Sequence, residues 1–113
     1  MLIVANHASF RRAARVLLQA DGYEVIGEAV DGASALRESR RLRPDIVLLD
    51  VGLPDQSGLD LAAELAAEPD PPSVVLVSSR DQSDFGPLIG RSGARGFIAK
   101  ARLSAAALHE LLR

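Results

Sequence analysis

Short apolar runs alternate along the chain with longer segments in which apolar residues recur every three or four positions. The runs are too short for helices and are rich in Val, Ile and Leu, which predicts strands. Three of them (LIV, IVLL and VVLV) contain no polar residue, as is typical of strands buried on both faces. Five strands are therefore expected, at 2–5, 23–29, 46–50, 74–78 and 96–100.

The segments between these strands predict helices, because their apolar residues follow the helical period. Phe10 lies on the apolar face of the first helix. Ser57 and Ser104 are suited to cap the third helix and the last, since a serine hydroxyl can accept a hydrogen bond from a first-turn amide. These four helices are expected at 9–20, 33–42, 57–67 and 104–112.

One further helix is expected between the fourth and fifth strands, but its sequence is unfavourable. Gly86, Pro87 and Gly90 all fall in this segment. If Asp84 caps the helix, Pro87 becomes its third residue, which a helix tolerates near its start. We expect this helix to be short and mobile.

The alternation of strands and helices predicts an α/β fold with a parallel sheet covered on both faces. Right-handed crossovers and the chain length suit a doubly wound five-stranded sheet of order 2-1-3-4-5. A chain of 113 residues with 48% apolar content is large enough for one core. We therefore interpret residues 1–113 as a single domain.

Composition excludes several classes of function. The net charge of −2 and the scattered arginines argue against direct nucleic-acid binding by this chain. No apolar stretch is long enough to span a membrane, so a cytoplasmic protein without a membrane partner is expected. No glycine-rich phosphate loop, HExxH or GxSxG motif occurs, and an independent enzyme is not expected.

Polar side chains stand where three of the predicted strands end. Asp50 closes the third strand, Ser78 the fourth and Lys100 the fifth. The carboxyl ends of parallel strands meet at one edge of the sheet, where doubly wound folds bind ligands, so these side chains should share a pocket. Lys100 is the only lysine among thirteen basic residues, and its ammonium should lie within salt-bridge distance of Asp50.

The segments LIV, PDIVLLDVGLPDQSG, VVLVSS and SGARGFIAK follow one another along the chain. Together they resemble the receiver domain of bacterial two-component response regulators, which implies a flavodoxin-like receiver fold. The resemblance implies that Asp50 accepts a phosphoryl group from a sensor histidine kinase or another signalling protein. Ser78 and Lys100 match the residues that contact the phosphoryl oxygens. Phe97 matches the aromatic residue that switches position together with Ser78, and Gly52 matches the residue whose carbonyl binds Mg2+.

The chain departs from this family directly after the first strand. Receivers usually carry two acidic residues there, where this sequence has Ala5 and Asn6. The usual pocket sets three carboxylates against one lysine and so recruits a divalent cation, whereas Asp50 and Lys100 alone sum to zero. Asn6 can still offer an amide oxygen. The expected Mg2+ site, made of Asp50, Asn6 and Gly52, is therefore weak or absent, and the receiver is atypical.

Two functions of different class remain open. In the first, the chain is a phosphoacceptor switch with impaired metal-dependent phosphorylation at Asp50. In the second, it is a phosphorylation-independent pseudo-receiver, a protein-interaction module whose Asp50–Lys100 pair is structural. The Ser78 hydroxyl can equally do no more than hydrogen-bond to backbone groups at the end of its strand, and Phe97 can be a core residue. A homodimer is compatible with both functions.

Overall fold

A computed structural model describes residues 1–113 and contains one five-stranded sheet. Its strands are β1 (Leu2–Val4), β2 (Gly27–Ala29), β3 (Ile46–Asp50), β4 (Ser73–Ser78) and β5 (Gly96–Ala99). Every neighbouring pair is parallel, and the spatial order is β2-β1-β3-β4-β5. This confirms the predicted doubly wound fold.

Five helices connect or follow the strands. They are α1 (Ala8–Gln19), α2 (Gly32–Leu42), α3 (Gly58–Ala66), α4 (Leu88–Arg91) and α5 (Ala105–Leu112). The predicted serine caps are confirmed, since Ser57 Oγ accepts from the Leu59 amide and Ser104 Oγ accepts from the Ala107 amide. None of the helices combines the length and the apolar character needed to cross a bilayer.

The sheet carries an apolar core on each face, because successive residues of a strand point to opposite sides. Leu48 belongs to the core that α1 and α5 cover, together with Leu18 and Leu108. Leu49 belongs to the core on the other face, which α2, α3 and α4 cover. Both leucines are fully buried. The uninterrupted apolar run of β3 is thus explained by helices on both sides.

The fourth helical segment differs from its expected form. The residues around Asp84 make a separate 3-10 turn, Gln82–Asp84, which Asp81 precedes as the capping residue. Gly86 follows with φ of +53°, a left-handed conformation that interrupts any continuing helix. Asp84 is therefore not the helix cap, and α4 begins only after Pro87, with a single turn.

The second strand is also shorter than expected. Pairing with β1 starts at Gly27, so residues 23–26 are outside the strand. Tyr23 and Val25 still contribute to the core beside α1, which explains their alternating pattern. The alternation therefore reflects burial at the sheet edge, where the Glu24 carbonyl and the Ile26 amide still hydrogen-bond to Met1.

A glycine allows α3 to begin directly against the end of β3. The Gly58 amide donates to the Val51 carbonyl at 2.8 Å. A Cβ atom at position 58 would lie 2.7 Å from the Val51 Cα and closer still to the backbone oxygen of Asp50. Any other residue here must push α3 away from Asp50.

The loop between β3 and α3 also holds the start of α2. The Asp55 carboxylate accepts hydrogen bonds from the Gly32 amide at 2.8 Å and from the Ala33 amide at 3.1 Å. These bonds, the one from Gly32 foremost, lower the pKa of Asp55 from its usual 3.8, because they stabilise the ionised form. The loop that follows Asp50 is thereby tied to a second helix.

Candidate functional site

Asp50 is a buried carboxylate at the end of the central strand. Asp50 is 3% exposed, and its Oδ2 lies 2.6 Å from Nζ of Lys100. Its Oδ1 accepts a hydrogen bond from the Gly52 amide at 3.0 Å. The expected ion pair between β3 and the end of β5 is confirmed, and it compensates the cost of drawing a charge into the core.

The ammonium of Lys100 has a second neighbour that the sequence did not identify. Nζ lies 4.5 Å from the centre of the Phe10 ring on α1, a distance suited to a cation–π interaction. The ammonium therefore contacts a carboxylate and an aromatic face. The helical period placed Phe10 on the apolar side of α1, and only the packing of α1 shows that its ring also reaches the lysine.

Asp50 and Lys100 border a cleft of about 330 Å3 at the carboxyl edge of the sheet. The cleft brings together four residues expected at the site: Asp50, Gly52, Ser78 and Lys100. Its other lining residues are His7, Val51, Ser79, Arg80 and Phe85. Neither Asn6 nor Phe97 lines it. Its volume is at the small end of the range for ligand sites in proteins.

Ser78 stands at the end of β4 and lines this cleft. The residue is 6% exposed, and its Oγ accepts a hydrogen bond from the Arg80 amide at 3.1 Å. A hydroxyl that accepts from a backbone amide keeps its own proton for another acceptor. Ser78 thus serves the local backbone and can still donate to a ligand.

Phe97 is half-buried on β5 and approaches the cleft only through a second aromatic residue. Its ring centre lies 5.6 Å from that of Phe85, with the two planes tilted by 49°. Phe85 lines the cleft beside Ser78 and Lys100. A displacement of Phe85 would therefore change the packing of Phe97.

A guanidinium group holds the end of β1. Arg11 Nη1 donates to the carbonyl of Ala5 at 2.7 Å and to that of Asn6 at 3.1 Å. Its Nε pairs with Glu28 at 3.0 Å, and Arg15 pairs with the other oxygen of Glu28 at 2.9 Å. The loop after β1 is fixed by these bonds, and Asn6 does not enter the cleft.

The donors at the cleft do not fit a tightly bound magnesium ion. No three acidic, histidine or cysteine side chains cluster anywhere in the structure. Asp50 is the only carboxylate of the cleft, and both of its oxygens already have partners. The Gly52 carbonyl could add one ligand, whereas Asn6, the third expected donor, is absent from the cleft lining. Mg2+ prefers six oxygen ligands, with one or two carboxylates among them.

Known proteins resemble this chain throughout its length. A family profile described as the response regulator receiver domain matches residues 1–113. BvgA of Bordetella pertussis, a positive transcription regulator of virulence factors, is 37% identical over 100 residues, which are 88% of this chain and 48% of BvgA. The transcriptional regulatory protein YdfI of Bacillus subtilis is 32% identical over 113 residues, covering 98% of this chain and 52% of YdfI.

Solved structures show the same fold. The signal receiver domain of the response regulator NarL from Mycobacterium tuberculosis superposes with a TM-score of 0.86 at 30% identity. The superposition covers 98% of this chain and 94% of that one. The chain spans about half the length of the curated relatives it matches.

Proposed function

This chain belongs to the response regulator receiver domain family of two-component systems, and from that premise we propose that it is an atypical receiver in which Asp50 accepts a phosphoryl group. The observation that carries the proposal is the buried Asp50–Lys100 pair at the mouth of the cleft. A carboxylate can act as a nucleophile toward phosphorus and form an acyl phosphate. The chain serves as the acceptor and signal carrier rather than as an independent enzyme.

The residues around Asp50 support this role by charge and by hydrogen bonding. Phosphoryl transfer depends mainly on positioning and on groups that stabilise the spread negative charge. Lys100 supplies a cation beside the nucleophile, and the Ser78 hydroxyl supplies a donor on the neighbouring strand. Phe97 would respond to the occupied cleft through Phe85.

The metal site of this receiver is proposed to be weak. Receiver domains generally bind Mg2+, and when bound the ion supplies positive charge to the phosphoryl oxygens. In this chain only Asp50 and the Gly52 carbonyl would be available to hold it, because Asn6 does not line the cleft. Since Asp50 is the only carboxylate of the cleft, the affinity should be poor.

The proposed partner is a sensor histidine kinase or another signalling protein in the cytoplasm. The two similar curated proteins are transcription regulators about twice as long as this chain. DNA binding is therefore not assigned to the receiver itself. A homodimer would be a further way to pass on the signal.

A phosphorylation-independent interaction module is the second candidate function. It is favoured by the fact that both Asp50 oxygens are satisfied inside the protein, one by Lys100 and one by the Gly52 amide. In that case the ion pair stabilises the fold and the surface around the cleft binds a partner in one fixed state.

Intact-mass analysis separates the two functions. The protein is incubated with acetyl phosphate, with and without Mg2+, beside the Asp50→Asn variant. The phosphoacceptor function predicts the mass of one added phosphoryl group in the natural protein and none in the variant. An unchanged mass under both conditions would instead support the interaction module.

A further inference from the structure

The cleft has the charge of an anion site rather than that of a cation site. Its charged lining residues are Asp50, Lys100 and Arg80, which give a formal sum of +1. The single negative charge is already paired with Lys100 at 2.6 Å. A divalent cation would gain little attraction here, whereas a phosphate dianion would be attracted.

Hydrogen-bond donors also outnumber free acceptors around the cleft. Ser78 and Ser79 present hydroxyl groups, and the Lys100 ammonium has three N–H donors. Ser78 accepts from the Arg80 amide, so its own proton remains available to another acceptor. Hydroxyls and cations together are what oxyanion oxygens require.

The loop directly after β1 carries no acid and is bound by the Arg11 guanidinium, which lies outside the cleft lining. The pairing of Val4 with Leu49 places Ala5 level with Asp50 on the neighbouring strand. The carbonyls of Ala5 and Asn6 are both bound by the Arg11 guanidinium, so they are engaged by a fixed cation. Glu28 is shared between Arg11 and Arg15, which leaves this group of three with a formal charge of +1.

From this charge and donor arrangement we infer that the cleft binds a phosphate-like oxyanion without a divalent cation. Lys100 and Arg80 supply the positive charge that a metal ion otherwise supplies, and Arg11 holds the loop after β1 through the Ala5 and Asn6 carbonyls. The inference rests on the proposed function, since it describes how the same site holds a phosphoryl group. It also makes a separate claim, because binding of a free oxyanion needs no covalent step at Asp50.

Metal-free transfer to Asp50 balances without a further reactant. A bond forms between an Asp50 oxygen and the phosphorus of an acyl phosphate, while the bond from phosphorus to the acyl oxygen breaks. The electron pair of that bond leaves with the donor's carboxylate, and no proton is transferred. Lys100, which already contacts Asp50, then neutralises part of the charge on the new acyl phosphate.

The test is a titration of the protein with inorganic phosphate, followed by amide chemical shifts of Gly52, Ser79 and Arg80. It is performed in a chelator and repeated in excess Mg2+. We expect saturable shifts in the chelator and less than about twofold tightening with Mg2+. Shifts that appear only when Mg2+ is present would overturn the inference.

Matched variants show whether the cleft itself is responsible. Arg80→Gln should weaken phosphate binding by at least about threefold, because one charge is removed from the cleft. Arg102→Gln removes an equal charge from an exposed residue outside the cleft lining and should leave the affinity unchanged. Equal weakening by both variants would mean non-specific attraction and would contradict the proposed site.

The double variant Ala5→Asp with Asn6→Asp tests the same inference by adding the acidic residues that this chain lacks after β1. It adds two negative charges directly after β1, where position 5 is level with Asp50, so phosphate binding in the chelator should fall and Mg2+ should restore it. If the natural protein shows the same Mg2+ dependence as this variant, the inference is wrong.

Phosphate binding without phosphorylation of Asp50 would refute the proposed function alone, and phosphorylation only with Mg2+ would refute the inference alone.

Discussion

At the scale of single residues, Asp50 and Lys100 are unequal partners in their ion pair. The side chain of Asp50 is 5% exposed and that of Lys100 is 19% exposed. Only the lysine can therefore recover part of its hydration when the pair is broken. Loss of the lysine leaves a buried carboxylate with the Gly52 amide as its remaining partner.

Lys100→Met should accordingly cost more stability than Asp50→Asn. The methionine keeps the apolar stem and removes the charge, and we expect a loss of about 3 kcal/mol, at the lower end of the range for a broken buried pair. Asp50→Asn retains an acceptor for the lysine and should change stability by less than about 1 kcal/mol. Urea unfolding at neutral pH measures both, with Arg102→Met as an exposed control. Equal losses for the two variants at the pair would contradict this asymmetry.

Asp55 should give the protein a distinct sensitivity to acid. Its pKa is lowered in the folded protein by the amides of Gly32 and Ala33, so its contribution to stability is complete above about pH 3.8. The contribution is lost as the pH falls through the lowered native pKa. The natural protein should be more stable than Asp55→Asn at pH 6, and the difference should shrink below pH 3.8. Urea unfolding at stepwise lower pH measures the stability difference between the two proteins. A difference that does not change with pH would refute the claim that ionised Asp55 stabilises the fold.

The sequence predicted the charged centre of the site but not its surroundings. Asp50, Ser78 and Lys100 could be placed together because the fold brings strand ends to one edge of the sheet. The contacts of Phe10 and Arg11 could not, since they depend on how α1 packs and on which rotamers its side chains adopt. Helical period reports only which face of α1 is apolar.

At the scale of elements, the close approach of β3 and α3 depends on one glycine. A Cβ at Gly58 would collide with the backbone of Asp50 and Val51, and backbone atoms cannot move aside as a flexible side chain can. Gly90 in α4 provides a contrast, because a Cβ there meets no atom within 4 Å outside its own helix backbone and its chain neighbours.

Gly58→Ala and Gly90→Ala should therefore change stability in opposite directions. Gly58→Ala should lose about 2 kcal/mol or more and disturb the amide shifts around Asp50, since α3 must move away. Gly90→Ala should gain about 0.5–1 kcal/mol from its higher helix propensity. Denaturant midpoints with amide spectra give both results. A tolerated alanine at position 58 would show that this contact is not a constraint.

The element α4 should be the first to open. Ile89 is the only buried residue among its four, and Gly86 and Pro87 precede it. Hydrogen exchange of its amides should require a free energy well below that of global unfolding, whereas amides of β3 should exchange only with global unfolding. Protection of α4 equal to that of β3 would contradict this.

Elements marked by an uninterrupted apolar run could be predicted from the sequence, whereas elements whose sequence combined apolar residues with glycine, proline or polar residues could not. The extents of β1, β3 and β4 matched their apolar runs within one residue, because burial on both faces leaves no polar position. The turn at Gln82–Asp84 and the later start of α4 depend on the left-handed Gly86, whose conformation a sequence pattern does not specify. The short β2 differed because Tyr23 and Val25, which precede it, are packed into the core and so imitate strand alternation.

At the scale of the whole molecule, the two cores share one sheet and should unfold together. Tyr23 is the only tyrosine of a chain without tryptophan, and it packs against the core on the α1 side. Leu49 lies in the opposite core. The fluorescence of Tyr23 can therefore report a defect on the far side of the sheet.

Leu49→Ala should shift the unfolding of the whole chain by about 3 kcal/mol, within the range for buried leucines. In the natural protein and again in the variant, Tyr23 fluorescence and far-ultraviolet circular dichroism should give the same urea midpoint as each other, and both midpoints should fall by the same amount in the variant. Leu48→Ala, on the face of Tyr23, is the matched control and should behave alike. A Tyr23 transition unaffected by Leu49→Ala would mean that the two faces unfold independently.

The placement of the single lysine has a practical consequence for studying this protein in solution. Apart from the terminal amine, the chain offers an acylating reagent only one primary amine, and that amine is held between Asp50 and the Phe10 ring. Any ligand, phosphoryl group or partner that draws it out or covers it must change how fast it is labelled. The occupancy of the cleft can thus be followed as the labelling rate of one peptide, without introducing a probe or a substitution.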